Sequence, residues 1–449
     1  MKYDLILESS SSNTIIYKRK KFYDYALAFL ALLMPLVVKG FPLLIVVAAV
    51  AGMVYFFRAY QRLGKPKKDY YLLPYNLLKE GVFNLLRGKG AMLFMVILFV
   101  VYLVSVLFSE DKENTVQKII LKSCYLYFPL IFALTKWDRG KLMRVLDFFI
   151  YGCCLQVFIS LVDAFWASGF QFDFSEFTYV NLSYNLHPSY AALIITIGFI
   201  FNAVRLLFVY KETKSISGNR WRIFALLGFI GYIILLSSKA GILSFLISVS
   251  VLFVYTLYVL KSWRITLLAT LITSVFFASF FYFLGGKATK RYASMKNSVE
   301  NRQVLSFVKP KRLNSSQIRM VLWENSWEAI KKSQFLGYGI GDGKNALQEN
   351  LQVNNEEFVL NLKHNAHNQF FETALSVGVV GFLLLLLILV FSAFGYGNFS
   401  WISLLLVFVV ALNLGVESMM EKQTGSIPIV WLLCLLTSAK SIFSSVFKV

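Results

Sequence analysis

An all-helical, polytopic membrane protein is the fold class that three features of the sequence predict. Of 449 residues, 57% are hydrophobic and only 15% carry charge. Apolar runs near or above the ~18–20 residues that cross a bilayer recur along the whole chain. The loops between them alternate in sign, basic and then acidic or neutral, as the positive-inside rule requires. The formal net charge of +21 therefore needs no nucleic acid to explain it. Basic cytoplasmic loops beside anionic headgroups account for it, and no basic–aromatic groove or nucleic-acid motif is present. Membrane lipids are the expected partners, and nucleic acid is not.

Residues 1–22 read as a short cytoplasmic leader. Asp4, Glu8 and a serine run precede any apolar segment, which is not a signal peptide, and Lys18-Arg19-Lys20-Lys21 closes the leader. About twelve spans follow by the ~20-residue criterion: 23–38, 41–57, 91–108, 118–135, 145–167, 189–209, 222–237, 241–260, 265–284, 370–394, 400–415 and 427–444. The chain divides into the leader, a first group of spans over 23–284, one large loop over 285–369 and the last spans over 370–449. The cysteines, Cys124, Cys153, Cys154 and Cys434, fall inside these spans, so neither a disulfide framework nor a metal site is expected.

The loops set the orientation. Loop 58–90 carries eight Lys or Arg against Asp69 and Glu80. Loops 136–144, 210–222 and 261–264 are also basic. The intervening loop 109–117, SEDKENTVQ, is acidic, and 168–188 has Asp173 and Glu176 with no Lys or Arg. Basic loops stay in the cytoplasm. Both termini are then cytoplasmic, and 109–117, 168–188, 238–240, 285–369 and 416–426 lie outside. The segment 285–369 is net basic yet outer, which long loops tolerate. Its middle, SSQIRMVLWENSWEAIKKS, reads as an amphipathic helix, with Met320, Val321, Trp323, Trp327 and Ile330 as apolar surface. Ser315 or Ser316 is placed to cap its start. It ends before Gly337, where GYGIGDG reads as a flexible glycine-rich turn.

This topology puts His187, Lys239, Arg319, His364, His367, Glu417 and Glu421 on one side, each at a span end or in the large loop. Ionisable groups near membrane depth usually face a cavity. His367 is followed by Asn368, nine residues, and then Gly378 and Gly381. That Gly-x-x-Gly inside the helix permits close helix approach. An imidazole at the boundary suits a general base for a hydroxyl, or equally an interfacial histidine that caps a helix. Lys239, in the turn SSKAG, and Arg319, four residues before Trp323 on the same helix face, suit phosphate oxygens. Snorkelling and a solvated helix face are the alternatives. His187, before Pro188 and Tyr190, reads as a helix-start histidine. Glu417 and Glu421, as i, i+4 neighbours, read either as a solvated turn or as groups that orient a base or cation. His364 is secondary, and a histidine pair without a nearby cysteine does not make a zinc site.

These residues carry a resemblance. HNQFFETALSVGVVG resembles the His-Asn, nine-residue spacer, Gly-x-x-Gly signature of the O-antigen ligase and polymerase superfamily. LSSKAGILSFL is similar to its Ser-x-Arg-Gly turn, with Lys239 where arginine is usual. QIRMVLWENSWEAIKKSQFLGYGIG resembles its Arg-x-x-x-Trp segment and Gly-x-Gly run. His187-Pro188-Ser189-Tyr190 and Glu417-Ser418 with Glu421 are similar to accessory motifs. The motifs cover roughly residues 187–425, and the first ~180 residues match only in topology.

The resemblance implies an inverting, metal-independent glycosyltransferase of the C-type (GT-C) membrane fold, without a cofactor. Its donor is an undecaprenyl-pyrophosphate-linked glycan, used at the periplasmic face of the bacterial inner membrane. His367 would be the base, and Arg319 and Lys239 would hold the donor pyrophosphate. Asn368, Gly378, Gly381, Trp323, His187, Glu417 and Glu421 would support them. Lys in place of Arg keeps the charge but loses the bidentate fork.

The leading expectation is ligation of O-antigen onto lipid A–core. Basic patches at Lys287, Lys290, Arg291 and at Lys309, Lys311, Arg312 favour an anionic acceptor. A repeat-unit polymerase, whose acceptor is the growing glycan, and a protein O-oligosaccharyltransferase are the nearest rivals. A secondary transporter would place its charged residues at the midplane, whereas here they sit at the outer boundary.

Overall fold

The computed structural model describes residues 24–36, 79, 83, 85, 90–171, 173–215, 217–260, 313–395 and 400–446. Among them every regular element is helical, with no strand. Helix α1 (Asp24–Leu36) is a short apolar helix. It is followed by α2 (Gly90–Ser105), then α3 (Lys112–Lys122) and α4 (Cys124–Leu134), which run on through Ser123. Next come α5 (Arg139–Ala167), the one-turn α6 (Tyr179–Leu182), α7 (Pro188–Thr213), α8 (Arg220–Leu236) and α9 (Lys239–Leu260). The second half comprises α10 (Ser315–Lys332), α11 (Gly343–Val353), α12 (Glu357–Asn361), α13 (Gln369–Ala393), α14 (Trp401–Leu414), α15 (Gln423–Ser438) and α16 (Lys440–Val446).

Among the described residues seven helical segments are long and apolar enough to cross a membrane, and α1, α14 and α15 are shorter apolar helices. This is a polytopic helical membrane protein. The expected spans 41–57 and 265–284, the leader 1–22 and the basic patches at 287–312 lie outside the described residues. Two spans begin about two turns earlier than hydropathy placed them. Asp111 caps α3 by accepting from Asn114 N, and Asp138 caps α5 by accepting from Lys141 N. Such caps let polar residues extend a helix beyond its apolar stretch.

Helix α7 is the most enclosed of the seven and packs against α5, α8, α9 and α14, while α13 lies along α2. The fully buried Trp431 of α15 stacks on Phe149 of α5, with ring centroids 5.2 Å apart.

Among the described residues, charged groups pair at the ends of these helices. At one end Asp24 receives Lys141 at 3.0 Å and Arg144 at 2.9 Å, Asp147 receives Arg205 at 2.7 Å and Arg222 at 2.8 Å, and Arg139 pairs with Glu212. At the other end the acidic loop before α3 meets the glycine-rich turn: Glu110 N and Asp111 N donate to the Asp342 carboxylate at 2.7 and 3.1 Å.

Two expectations about the large loop are corrected. The cap of α10 is Asn314, not Ser315 or Ser316. Its side chain accepts from Gln317 N while the Gln317 side chain accepts from Asn314 N, a reciprocal capping box. The glycine-rich turn is not a flexible linker. Helix α13 unwinds at Val377–Gly378, where Gly378 has φ 68° and ψ −164°, a conformation essentially reserved for glycine. The chain at 335–339 enters that break. Tyr338 N donates to Leu375 O at 2.8 Å, Gly339 N to Ser376 O at 3.0 Å, and Val379 N to Phe335 O at 2.9 Å. The turn thus satisfies backbone groups that the kink leaves without helical partners, which buried non-helical backbone requires. Gly378 admits this loop rather than a neighbouring helix. A Cβ on Gly381 would meet Val377 and Thr373 of its own helix, so Gly381 relieves crowding beside the kink.

Candidate active site

His367 occupies a tight corner ahead of α13. Asn368 caps that helix by accepting from Phe370 N at 2.9 Å and Phe371 N at 3.3 Å. A cap residue is extended, so the chain must turn sharply just before it. His367 does so with φ 45°, a left-handed conformation that costs an L-residue roughly 1–2 kcal/mol. Several contacts hold the corner. His367 N donates to Asn365 Oδ1 at 3.2 Å, Trp323 Nε1 reaches His367 O at 3.4 Å, and Asn368 N donates to Ser418 Oγ at 3.1 Å.

Glu417 is the hub. Its Oε2 lies 2.7 Å from His367 Nδ1, and its Oε1 lies 2.5 Å from Arg319 Nη2. Arg319 Nε also donates to Val416 O at 3.1 Å. Burial alone would push the Glu417 carboxyl up. The hydrogen bond and charge of His367, and then the Arg319 guanidinium, outweigh it and hold the carboxyl below the ordinary carboxylate range. An ionised Glu417 only accepts. Nδ1 of His367 therefore carries a hydrogen, and in the neutral imidazole the lone pair is on Nε2. The geometry thus fixes one tautomer of a half-buried imidazole beside a guanidinium.

The remaining residues group around this pair. Lys239 opens α9 and its Nζ stands 3.5 Å from Ser316 Oγ, while Arg319 Nη1 stands 3.5 Å from Ser315 O. The two cations thus flank the first turn of α10. His364 meets His367 edge to face, with centroids 4.9 Å apart. His187 caps α7 by accepting from Ser189 N at 3.3 Å, and the next turn's Tyr190 OH reaches Ser418 O at 3.4 Å. Burial holds both His187 and His364 below the usual imidazole range, so both are neutral near pH 7. Among the described residues no group of three His, Cys, Asp or Glu side chains could hold a metal ion.

Glu421 does not join Glu417. Residues 417–421 are not one α-helix: a short 3-10 turn, Met419–Glu421, intervenes, and the two carboxylates face different neighbours. Glu421 pairs with Lys122 at 2.6 Å and Lys118 at 3.4 Å, and accepts from Gln369 Nε2 at 3.1 Å. Lys118 and Lys122 lie at the start of and within the expected span 118–135, where hydropathy does not single them out. Two lysines at i, i+4 among apolar residues were the available signal.

Residues 223–386 match the family described as O-antigen ligase. The segment contains Lys239, Arg319, Trp323, His364, His367, Gly378 and Gly381, while His187, Glu417 and Glu421 lie beyond it. A protein of Haemophilus influenzae, described as uncharacterized, is 24% identical over 388 residues, which is 82% of each chain.

Proposed function

We propose, from the premise that residues 223–386 belong to the O-antigen ligase family, that the chain is a membrane glycosyltransferase acting on lipid-linked glycans. In this reading it moves a glycan from undecaprenyl pyrophosphate onto lipid A–core at the periplasmic face of the inner membrane. Its architecture is a twelve-span GT-C-type fold with both termini in the cytoplasm.

The observation that carries the proposal is Glu417 bridging His367 and Arg319. Glycosyl transfer needs a base for the acceptor hydroxyl and a cation for the departing pyrophosphate. His367 Nε2 takes the hydroxyl proton. The acceptor oxygen bonds to the anomeric carbon as the bond from that carbon to the pyrophosphate oxygen breaks. The electron pair leaves with undecaprenyl pyrophosphate, and attack from the opposite face inverts the anomeric centre. Arg319 and Lys239, at the first turn of α10, hold the pyrophosphate, so this reading needs no metal ion. Trp323 and Asn368 fix the His367 corner.

Replacing His367 by Ala tests the base. Transfer falls by roughly 10²–10⁴-fold, the usual worth of a general base, while the protein still inserts; near-normal transfer overturns the assignment. The lipopolysaccharide of a deletion strain tests the acceptor. Bare core with long polymer retained on the carrier is expected. Core bearing a single repeat unit would assign the chain as a repeat-unit polymerase instead.

A further inference from the structure

Beneath the His367–Glu417 pair lies a buried ionic cluster that the proposed chemistry does not use. Lys122 of α3 is 1% exposed and bonds Glu421 Oε1 at 2.6 Å and Met420 O at 2.9 Å. One turn earlier, Lys118 stands between Glu421, at 3.4 Å, and Glu372 of α13, at 3.8 Å. Two lysines thus face two glutamates, and the cluster is formally neutral. Burying four charges costs several kcal/mol per ion before pairing restores it. A well-packed apolar contact between α3 and α13 would hold the helices together at less cost. The cluster therefore calls for a role beyond adhesion.

The ends of its hydrogen bonds supply one. Glu372 Oε2 accepts from Ala366 N at 3.1 Å, one residue before His367. Gln369, two residues after His367, donates to Glu421 Oε1 at 3.1 Å and accepts from Met420 N at 2.7 Å. Lys122 holds the same Met420 through its carbonyl. Asn368 N donates to Ser418 Oγ at 3.1 Å, next to Glu417. The left-handed corner at His367 is thus tied on both flanks, and the turn carrying Glu417 is tied to the same network.

We infer that Lys122, assisted by Lys118, is a positioning residue for the glycosyl transfer proposed above, its pairing with Glu421 locking the Glu417 turn against the His367 corner. Lys122 touches no reacting atom in this scheme. It acts by keeping the Nδ1–Glu417 bond at its 2.7 Å length, and a displacement of about 1 Å at a reacting group can cost on the order of 100-fold in rate.

The test is a double-mutant cycle on purified protein in proteoliposomes with a lipid-linked donor. Lys122→Met should lower kcat on the order of 100-fold with a smaller change in donor KM, because Arg319 and Lys239 also lean on the first turn of α10, away from the lysine–glutamate cluster. Glu417→Gln should also be slow. The double variant should be no slower than Glu417→Gln alone, since Lys122 acts through Glu417. A merely structural lysine would lower the folded fraction or multiply the two losses. Glu421→Gln, which keeps shape and the Gln369 contact, repeats the cycle if Lys122→Met does not fold. Wild-type kcat in both Lys122→Met and Glu421→Gln, or multiplied losses in the cycle, overturns the inference. His367→Ala separates the two readings. If that variant transfers normally, the proposed chemistry and this inference fall together. If it is silent while the losses multiply, only this inference falls.

Discussion

Glu417→Gln is the most informative single substitution at this site. It removes one charge and preserves the shape. The carboxylate receives two charge-assisted hydrogen bonds, at 2.7 Å from His367 and 2.5 Å from Arg319, and bonds of this type are worth about 1.5–3 kcal/mol each. An amide offers only one acceptor atom. Arg319 can only donate, so the amide oxygen stays with it and the NH2 turns toward His367. Nδ1 must then accept, which moves the ring hydrogen onto Nε2, the nitrogen required for the acceptor proton. At about 1.36 kcal/mol per decade of rate, loss of the His367 bond alone slows transfer roughly 10- to 150-fold. Tautomer reversal adds to this, and a comparable carboxylate-to-amide change in a Ser-His-Asp triad costs about 10⁴-fold. Single-turnover transfer in proteoliposomes, with His367→Ala as the floor, should therefore show kcat reduced by about 10²–10⁴-fold. Donor KM should stay close to normal because Arg319 keeps an acceptor. A folded Glu417→Gln protein that transfers as fast as wild type refutes the reasoning.

Further outcomes follow from the same structure. The Glu417 carboxyl is held below its ordinary range, so its contribution to stability is full above the unfolded carboxylate value of about 4.3 and fades as pH falls through the lowered value. The gap in melting temperature between wild type and Glu417→Gln should therefore be widest near neutral pH and close in acid; a gap that grows in acid reverses the sign. Gly378→Ala should destabilise by more than the ~1–3 kcal/mol of its backbone conformation, because its Cβ also meets the Phe335 carbonyl; an unchanged melting curve would mean that the kink is not held. Lys239→Arg should retain transfer and Lys239→Ala should lower it, read as donor KM; equal values for wild type and Lys239→Ala would leave Lys239 outside donor binding. Cysteines placed at the exposed Glu113 and Glu357 should react with an impermeant thiol reagent from the periplasm and one at the exposed Ser215 should not; the opposite pattern inverts the orientation.

The parts of the site legible in sequence were those with local signatures. The spacing from His367 to Gly378 and Gly381 marked a corner before a special helix. The loop charges correctly grouped 136–144 with 210–222. Four features were hidden, each because hydropathy and residue spacing do not report the backbone geometry or the partners that decide it. The turn 337–343 looks flexible on its own, and only the break in α13 gives its backbone partners. Glu417 and Glu421 have helical spacing, yet a 3-10 turn sends them to separate clusters. Gly381 looked like a helix contact but sits against its own kinked helix. Lys118 and Lys122 sat where hydropathy expected a span to start, and their partners lie in α13 and beyond α14. Helix starts were misjudged where aspartate caps extend polar turns, because hydropathy sees the bilayer and not the cap.

The pairing of His367 with Glu417 also bears on how the protein becomes active during its synthesis. The two residues are 50 positions apart, and Arg319 and Glu417 are 98 apart. Helix α13 leads away from the corner, and α14 must return before residue 417 can reach it. At about 5–20 residues per second, the ribosome needs roughly 3–10 s to make that stretch. Through this interval the histidine is already present without the carboxylate that sets its tautomer. In the proposed reading, a nascent chain therefore lacks its oriented base until α14 has returned and residue 417 has reached the corner.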